Sequence, residues 1–169
     1  AEGFVRELRP ERVRLDDYWF LTLALRHRPA LASAPVFART AIERFGALDV
    51  LVVNAGIGVF GDSLEQDPDA IDRLFRINIH APYHASVEAA RQMPQGGRII
   101  VIGSVNGDRM PVPGMSSYAL SKSALQGMAR GLARDFGSRG ITINVVQPGP
   151  IDTDANPADG PMKELLHSF

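Results

Sequence analysis

From Ala47 onward the chain alternates short, continuously apolar runs with longer stretches in which apolar residues recur at helical spacing. Such alternation marks parallel strands linked by crossover helices. Asp49 to Val53 (Asp-Val-Leu-Val-Val) reads as a strand ending at Asn54, and Arg98 to Ile102 (Arg-Ile-Ile-Val-Ile) as a second ending at Gly103-Ser104. Both look like strands buried on two faces. A third, Thr142 to Val146, runs into Gln147-Pro148-Gly149-Pro150, where two prolines stop the ladder and begin a loop.

Between the first two strands, Pro68 occupies the favoured first turn of a helix that carries Ile71, Leu74, Phe75, Asn78 and Ile79 and ends near Met93. Between the second and third, Ser116 or Ser117 is expected to cap a helix with an apolar stripe of Leu125, Met128, Leu132 and Phe136, closed by Gly137. Thr40 to Phe45 read as the last turns of a helix that enters the first strand through Gly46. The body is therefore α/β, with two successive βαβ units. Right-handed crossovers gather the strand C-termini along one sheet edge, where α/β proteins bind ligands, so Asn54, Ser104 and Pro148 are expected to be neighbours. Residues 1–38 offer no assignable element and are read as irregular, with 39–169 as the α/β domain; after Asp152 only Met162 to His167 is a helical candidate.

Composition narrows the function. The chain has 169 residues, 45% of them hydrophobic and 22% charged, which fits one soluble domain. A formal net charge of -1 gives no electrostatic reason to expect nucleic acid or an anionic membrane as partner. The absence of cysteine excludes disulfides, thiolate catalysis and cysteine-ligated metals, and is compatible with the cytoplasm, the expected location. The apolar run Tyr18 to Leu25 is too short to span a bilayer, and Asp16 and Asp17 before it do not suit a signal peptide.

Tyr118-Ala119-Leu120-Ser121-Lys122 places a phenol and an ammonium one helical turn apart on one face. A free tyrosine titrates near pH ~10, and a neighbouring cation stabilises its phenolate, bringing it toward the range of acid/base catalysis. Ser104, at the end of the preceding strand, is placed to donate a hydrogen bond to a carbonyl or alkoxide oxygen beside the tyrosine. In isolation the Tyr–Lys pair would be two solvated groups, and Ser104, like Asn106, would merely cap a turn. The βαβ context favours the catalytic reading.

Asn78 stands four residues before Pro82, which has no N–H to return to the carbonyl of residue 78. Two readings stay open there: a plain kink, or a freed acceptor for an ordered water in a proton relay from Lys122. Gly56-Ile57-Gly58-Val59-Phe60-Gly61 matches the dinucleotide pattern G-x-G-x-x-G, but Asp62 to Asp67 separate it from the next helix, so it is not read as a phosphate loop. Asn54-Ala55-Gly56 reads instead as a tight strand exit where a cofactor can lie against the backbone. His80 and His84 share a helix face without a third ligand, so no metal is expected. Gly127 and Gly131 admit a close helix, either within the chain or from a second copy.

Asn54-Ala55-Gly56, Asn78, Ser104, Tyr118-x-x-x-Lys122 and Pro148-Gly149-Pro150-Ile151-Asp152-Thr153, in this order, resemble the short-chain dehydrogenase/reductase family. The resemblance implies a Rossmann-like, doubly wound parallel sheet, incomplete here, and hydride transfer between NADP(H) or NAD(H) and a small-molecule carbonyl or alcohol. It makes Tyr118 the acid/base, with Lys122 lowering its pKa and holding the nicotinamide ribose, Ser104 orienting the carbonyl and Asn78 supporting the water relay. It places the cofactor against Asn54, Ala55, Gly56, Tyr118, Lys122, Pro148, Gly149, Ile151 and Thr153. The strings around Asn54, Asn78 and Ser104 are further similar to a bacterial subgroup that binds cyclic-di-GMP and promotes biofilm dispersal, which makes that dinucleotide the alternative partner. A homo-oligomer through the helix of Gly127 and Gly131 is expected. The family begins with a strand and a Thr-Gly-x-x-x-Gly-x-Gly loop, for which no counterpart precedes Gly46, so a fragment or frame-shifted reading of a longer gene is expected, with Asp49 to Val53 as an unpaired, self-associating edge.

Overall fold

The computed structural model describes residues 14–15, 18–19, 30–152, 157, 159–160 and 163–166. Three strands, β3 (Val50–Val53), β4 (Arg98–Ile102) and β5 (Thr142–Val146), form a parallel sheet in the order β3-β4-β5. The strands follow the three apolar runs, β3 starting at Val50 rather than Asp49, whose carbonyl accepts from the Arg98 N–H at 2.8 Å. Two short strands, β1 (Arg14–Leu15) and β2 (Tyr18–Trp19), pair antiparallel.

Helix α1 (Ala30–Phe45) begins well before Thr40, within the stretch that the sequence leaves without an element. It ends at Gly46, whose φ of +86° suits glycine. The region between β3 and β4 opens with α2 (Pro68–Phe75), capped by the Asp67 side chain. It widens into a π turn over Arg76–His80, where the Ala81 N–H returns to the Arg76 carbonyl, and continues as α3 (Ala81–Gln92). A π segment thus stands immediately before the helix that Pro82 opens, and such segments are frequent at functional sites.

Helix α4 (Ser116–Phe136) joins β4 to β5. Neither serine caps it. Met115 is the N-cap, without a side-chain hydrogen bond, and Ser116 Oγ instead meets Ser63 Oγ at 2.7 Å. Gly137 is the C-cap, as expected, but not through a left-handed turn. It stays right-handed and starts a 3-10 turn, and Gly140, with φ of +65°, reverses the chain. A short α5 (Lys163–Leu166) lies within the segment expected to be helical.

Leu51, Ile99, Val101 and Ile143 occupy one face of the sheet, covered by Ala38 and Ala41 of α1, Ala89 and Ala90 of α3, and Leu125, Ala129 and Leu132 of α4. Across the sheet, Val50, Val52 and Val146 are 47%, 44% and 48% exposed, so the described helices cover one side of a doubly wound arrangement. The N-terminal edge of the sheet is tied by arginines. Arg139 donates to the Ala90 and Met93 carbonyls at the end of α3, and Arg98 to Gly96, Gly97 and Gly140. This leaves the C-terminal edge to build a site. Gly127 and Gly131 are exposed, with open space over Gly131, so no helix among the described residues uses their small size.

Candidate active site

At that edge the exits of all three strands converge. The Val105 N–H donates to the Pro148 carbonyl at 3.1 Å and the Gly103 N–H to the Val146 carbonyl at 2.7 Å, tying the turn after β4 to the exit of β5. Gly103 is required there, because a Cβ would lie 2.7 Å from Val145 Cγ1. Ser104 caps the 3-10 turn Val105–Gly107, its Oγ accepting from the Asn106 N–H at 3.1 Å. One lone pair is used, and the hydroxyl proton stays available to a ligand. Gly107 lets the turn rest on α4, since a Cβ would come within 3.1–3.2 Å of the Lys122 backbone and the Gln126 side chain.

Lys122 rises from the first turns of α4 into a nearly closed position, 6% exposed, where Nζ donates to the Ile102 carbonyl at 3.0 Å. It also faces the Tyr118 ring at 5.8 Å from its centroid. A Cβ on Gly56 would stand 3.4 Å from this Nζ and 3.4 Å from Asn78 Oδ1, so the exposed Asn54-Ala55-Gly56 strand exit passes directly over both groups. Burial pushes the Lys122 ammonium below the ordinary lysine value of 10.5. Because the folded pKa is then lower than the unfolded one, the unfolded chain binds more protons, and stability rises as pH climbs through that window. The charge costs stability at neutral pH, and the cost fades toward pH 10.5. Lys122→Met is therefore expected to gain most on the wild type at pH 7, with the difference narrowing as pH is raised toward 10.5. Urea denaturation across that range measures it, and a difference independent of pH would count against a desolvated ammonium.

Asn78 is 1% exposed and works through its side chain. Its Oδ1 accepts from the Ile57 N–H at 2.9 Å, while Nδ2 donates to the Ile57 carbonyl at 2.9 Å and to Ser121 Oγ at 3.0 Å. Ser121 in turn donates to the Tyr118 carbonyl at 2.7 Å. One amide thus links the strand exit to the helix that bears Tyr118 and Lys122, a role invisible in a reading centred on the Asn78 carbonyl.

The three glycines of Gly56–Gly61 each answer to a different neighbour. Gly56 faces Lys122 and Asn78; Gly58 lies under the Phe60 ring, where a Cβ would be 2.3 Å from a ring carbon; Gly61 has φ of +126° and donates its N–H to the Gly114 carbonyl at 2.8 Å. None of them opens a helix, the next one starting at Pro68.

The sequence reading missed a further polar cluster. Gln126 Nε2 donates to Asp108 Oδ1 at 2.7 Å and to Gln147 Oε1 at 2.8 Å, and Gln147 Nε2 donates to Asp108 Oδ2 at 2.6 Å. The hydrogen bonds from Gln147 and then Gln126 hold the Asp108 carboxyl below its ordinary value. The cluster fastens the Ser104 turn, α4 and the exit of β5, and only spacing across 39 residues could have revealed it. Gly149 and Ile151 are exposed beyond Pro148, and Thr153 lies outside the described residues. Among the described residues no three acidic or histidine side chains gather as a metal site; the His84 ring instead meets Tyr83 edge-on.

The model of the short chain dehydrogenase family matches residues 15–164. The chain belongs to this family. A cyclic-di-GMP-binding biofilm dispersal mediator protein of Escherichia coli K12 is 81% identical over 128 residues, covering 76% of this chain and 54% of that protein. The tetrahydroxynaphthalene reductase of Pyricularia oryzae is 39% identical over 114 residues, covering 68% and 40%. Among solved structures, BdcA in complex with NADPH superposes with a TM-score of 0.79 at 71% identity, covering 88% of this chain and 59% of that one. A Serratia marcescens short-chain dehydrogenase/reductase gives 0.81 at 46% identity, covering 86% and 60%. The chain spans about half the length of the curated relatives it matches. No described helix is long and apolar enough to cross a membrane.

Proposed function

We propose that this chain carries the catalytic face of an NADP(H)-dependent oxidoreductase that interconverts a carbonyl and an alcohol. The observation that carries the proposal is the buried Lys122 ammonium, which lies beside the Gly56 backbone and faces the Tyr118 ring at 5.8 Å. With this cation facing its ring, Tyr118 is the group that would release a proton to a carbonyl oxygen, or take one from an alcohol. Ser104 offers its unused hydroxyl proton to the same oxygen. Asn78 holds the strand exit in place through Ile57, and its main-chain carbonyl is the candidate acceptor for a relay water.

The residues present fit the nicotinamide-ribose end of the cofactor. The exposed backbone of Asn54, Ala55 and Gly56 leaves space beside Lys122 that a larger side chain would fill. Lys122 would hold the ribose, with Pro148, Gly149 and Ile151 at the exit of β5 as further contacts; NADPH in the structure of BdcA favours the phosphorylated cofactor. When bound, the cofactor supplies or accepts the hydride. Incubating the chain with NADPH and a panel of carbonyl compounds, followed by the cofactor's near-ultraviolet absorbance, is expected to show carbonyl-dependent oxidation. NADPH binding without turnover of any carbonyl would overturn the reading, and failure to bind NADPH would favour a chain that does not function alone.

A second reading, binding of cyclic-di-GMP, is favoured by the name of the Escherichia coli relative and its 81% identity. Calorimetry with cyclic-di-GMP on the wild type and on Tyr118→Phe tests it. An unchanged heat in the variant would place the ligand away from Tyr118, and no heat at high protein concentration would remove the reading.

A further inference from the structure

The loop from Asn54 to Asp67 carries more anchoring than a connection requires. Ile57 is gripped by Asn78 through both its N–H and its carbonyl. The Gly61 N–H bonds to the Gly114 carbonyl at 2.8 Å, Ser117 Oγ donates to the Val59 carbonyl at 3.4 Å, and Ser63 Oγ meets Ser116 Oγ at 2.7 Å. Gln66 Nε2 closes the far side on the Gly61 carbonyl at 3.1 Å. Three of these ties reach the residues immediately before Tyr118.

Phe60 stands in the middle of this frame. Its ring folds back over Gly58, where no side chain would fit, and packs against Tyr118 with centroids 5.8 Å apart and planes inclined at 59°. It is nevertheless 62% exposed. A single exposed aromatic is ordinary on a protein surface. Here, however, the backbone is fixed on both sides of the ring, and the ring touches the phenol proposed as the proton donor. A rigid, open aromatic face already paid for in ordering is suited to a flat apolar ligand.

We propose that Phe60 is a specificity-determining wall of the Tyr118 site and selects planar aromatic carbonyl compounds. The substrate ring lies on the free face of Phe60, and a carbonyl conjugated to that ring is thereby directed to the Tyr118 hydroxyl. The inference rests on the carbonyl-reduction reading and names its substrate class. It assigns Phe60 contact with the part of the substrate that does not react, so its loss weakens discrimination between substrates and leaves the acid/base group in place.

The test compares NADPH-dependent reduction of 1-tetralone, a planar aryl ketone, with that of diacetyl, a small aliphatic one. Wild type, Phe60→Ala, Phe60→Leu and Phe60→Tyr are measured. The ratio of kcat/KM for the aryl ketone to that for diacetyl is expected to fall about tenfold or more in Phe60→Ala, to fall less in Phe60→Leu, and to be restored by Phe60→Tyr. Saturation-transfer NMR of 1-tetralone on the wild type and Phe60→Leu gives a second measurement independent of turnover, with weaker transfer expected in the variant. A ratio that stays within about twofold in all three variants, or equal transfer to both proteins, overturns the assignment of Phe60. If the wild type binds NADPH but reduces neither ketone nor any other carbonyl, the reaction reading fails and takes this inference with it. If it reduces both with an unaltered ratio, only the role of Phe60 is lost.

Discussion

Tyr118→Phe is expected to lower carbonyl-dependent NADPH oxidation by about 10²–10⁴-fold, the usual range for removing a positioned acid/base. The change deletes one oxygen and keeps the ring, so the packing against Phe60 and the approach of Lys122 remain. The thermal midpoint should stay close to that of the wild type. Steady-state rates measured beside a melting curve separate loss of chemistry from loss of fold. An unchanged rate would remove Tyr118 from the reaction, whatever the position of Lys122.

The second large effect concerns stability. Asn78→Leu strips the hydrogen bonds from both polar groups of Ile57 and from Ser121 Oγ, in a position only 1% exposed. Leaving buried polar groups unpaired costs roughly 1–3 kcal/mol each, and partial access to water at Ile57 lowers the total to about 3 kcal/mol. For a chain of this size that corresponds to a fall in Tm of roughly 6–12 °C. The same variant frees the Gly56 backbone above Lys122, so a weaker grip on NADPH is expected in a binding titration. A Tm within about a degree of the wild type would show that the Asn78 bridge contributes nothing net. Asn78→Asp is a harsher probe than its size suggests, because it keeps the acceptor for the Ile57 N–H but replaces both donors with a buried charge.

The contrast between these two residues shows what the sequence makes legible. Tyr118 and Lys122 lie four apart on one helix, so spacing alone places them together, and the three apolar strand runs specify a parallel sheet whose polar ends must meet. Asn78 reaches Ile57 across 21 residues and Ser121 across 43, and no local pattern encodes such distances. The glycines of Gly56–Gly61 are silent for a related reason, since a string of glycines does not reveal what approaches each one. Helix α1 was hidden by Pro35, a residue that ordinarily ends a helix, six positions into it. The capping serines at the start of α4 were equally deceptive, because their hydroxyls serve the loop after β3 instead of the helix's own N–H groups.

The bond from the Gly61 N–H to the Gly114 carbonyl has a use beyond its geometry. It bridges the loop that carries Phe60 and the segment leading into Tyr118, so any opening that parts the two must break it and expose the N–H to water. The exchange rate of this amide with deuterium therefore clocks how often the site breathes, without substrate, cofactor or turnover.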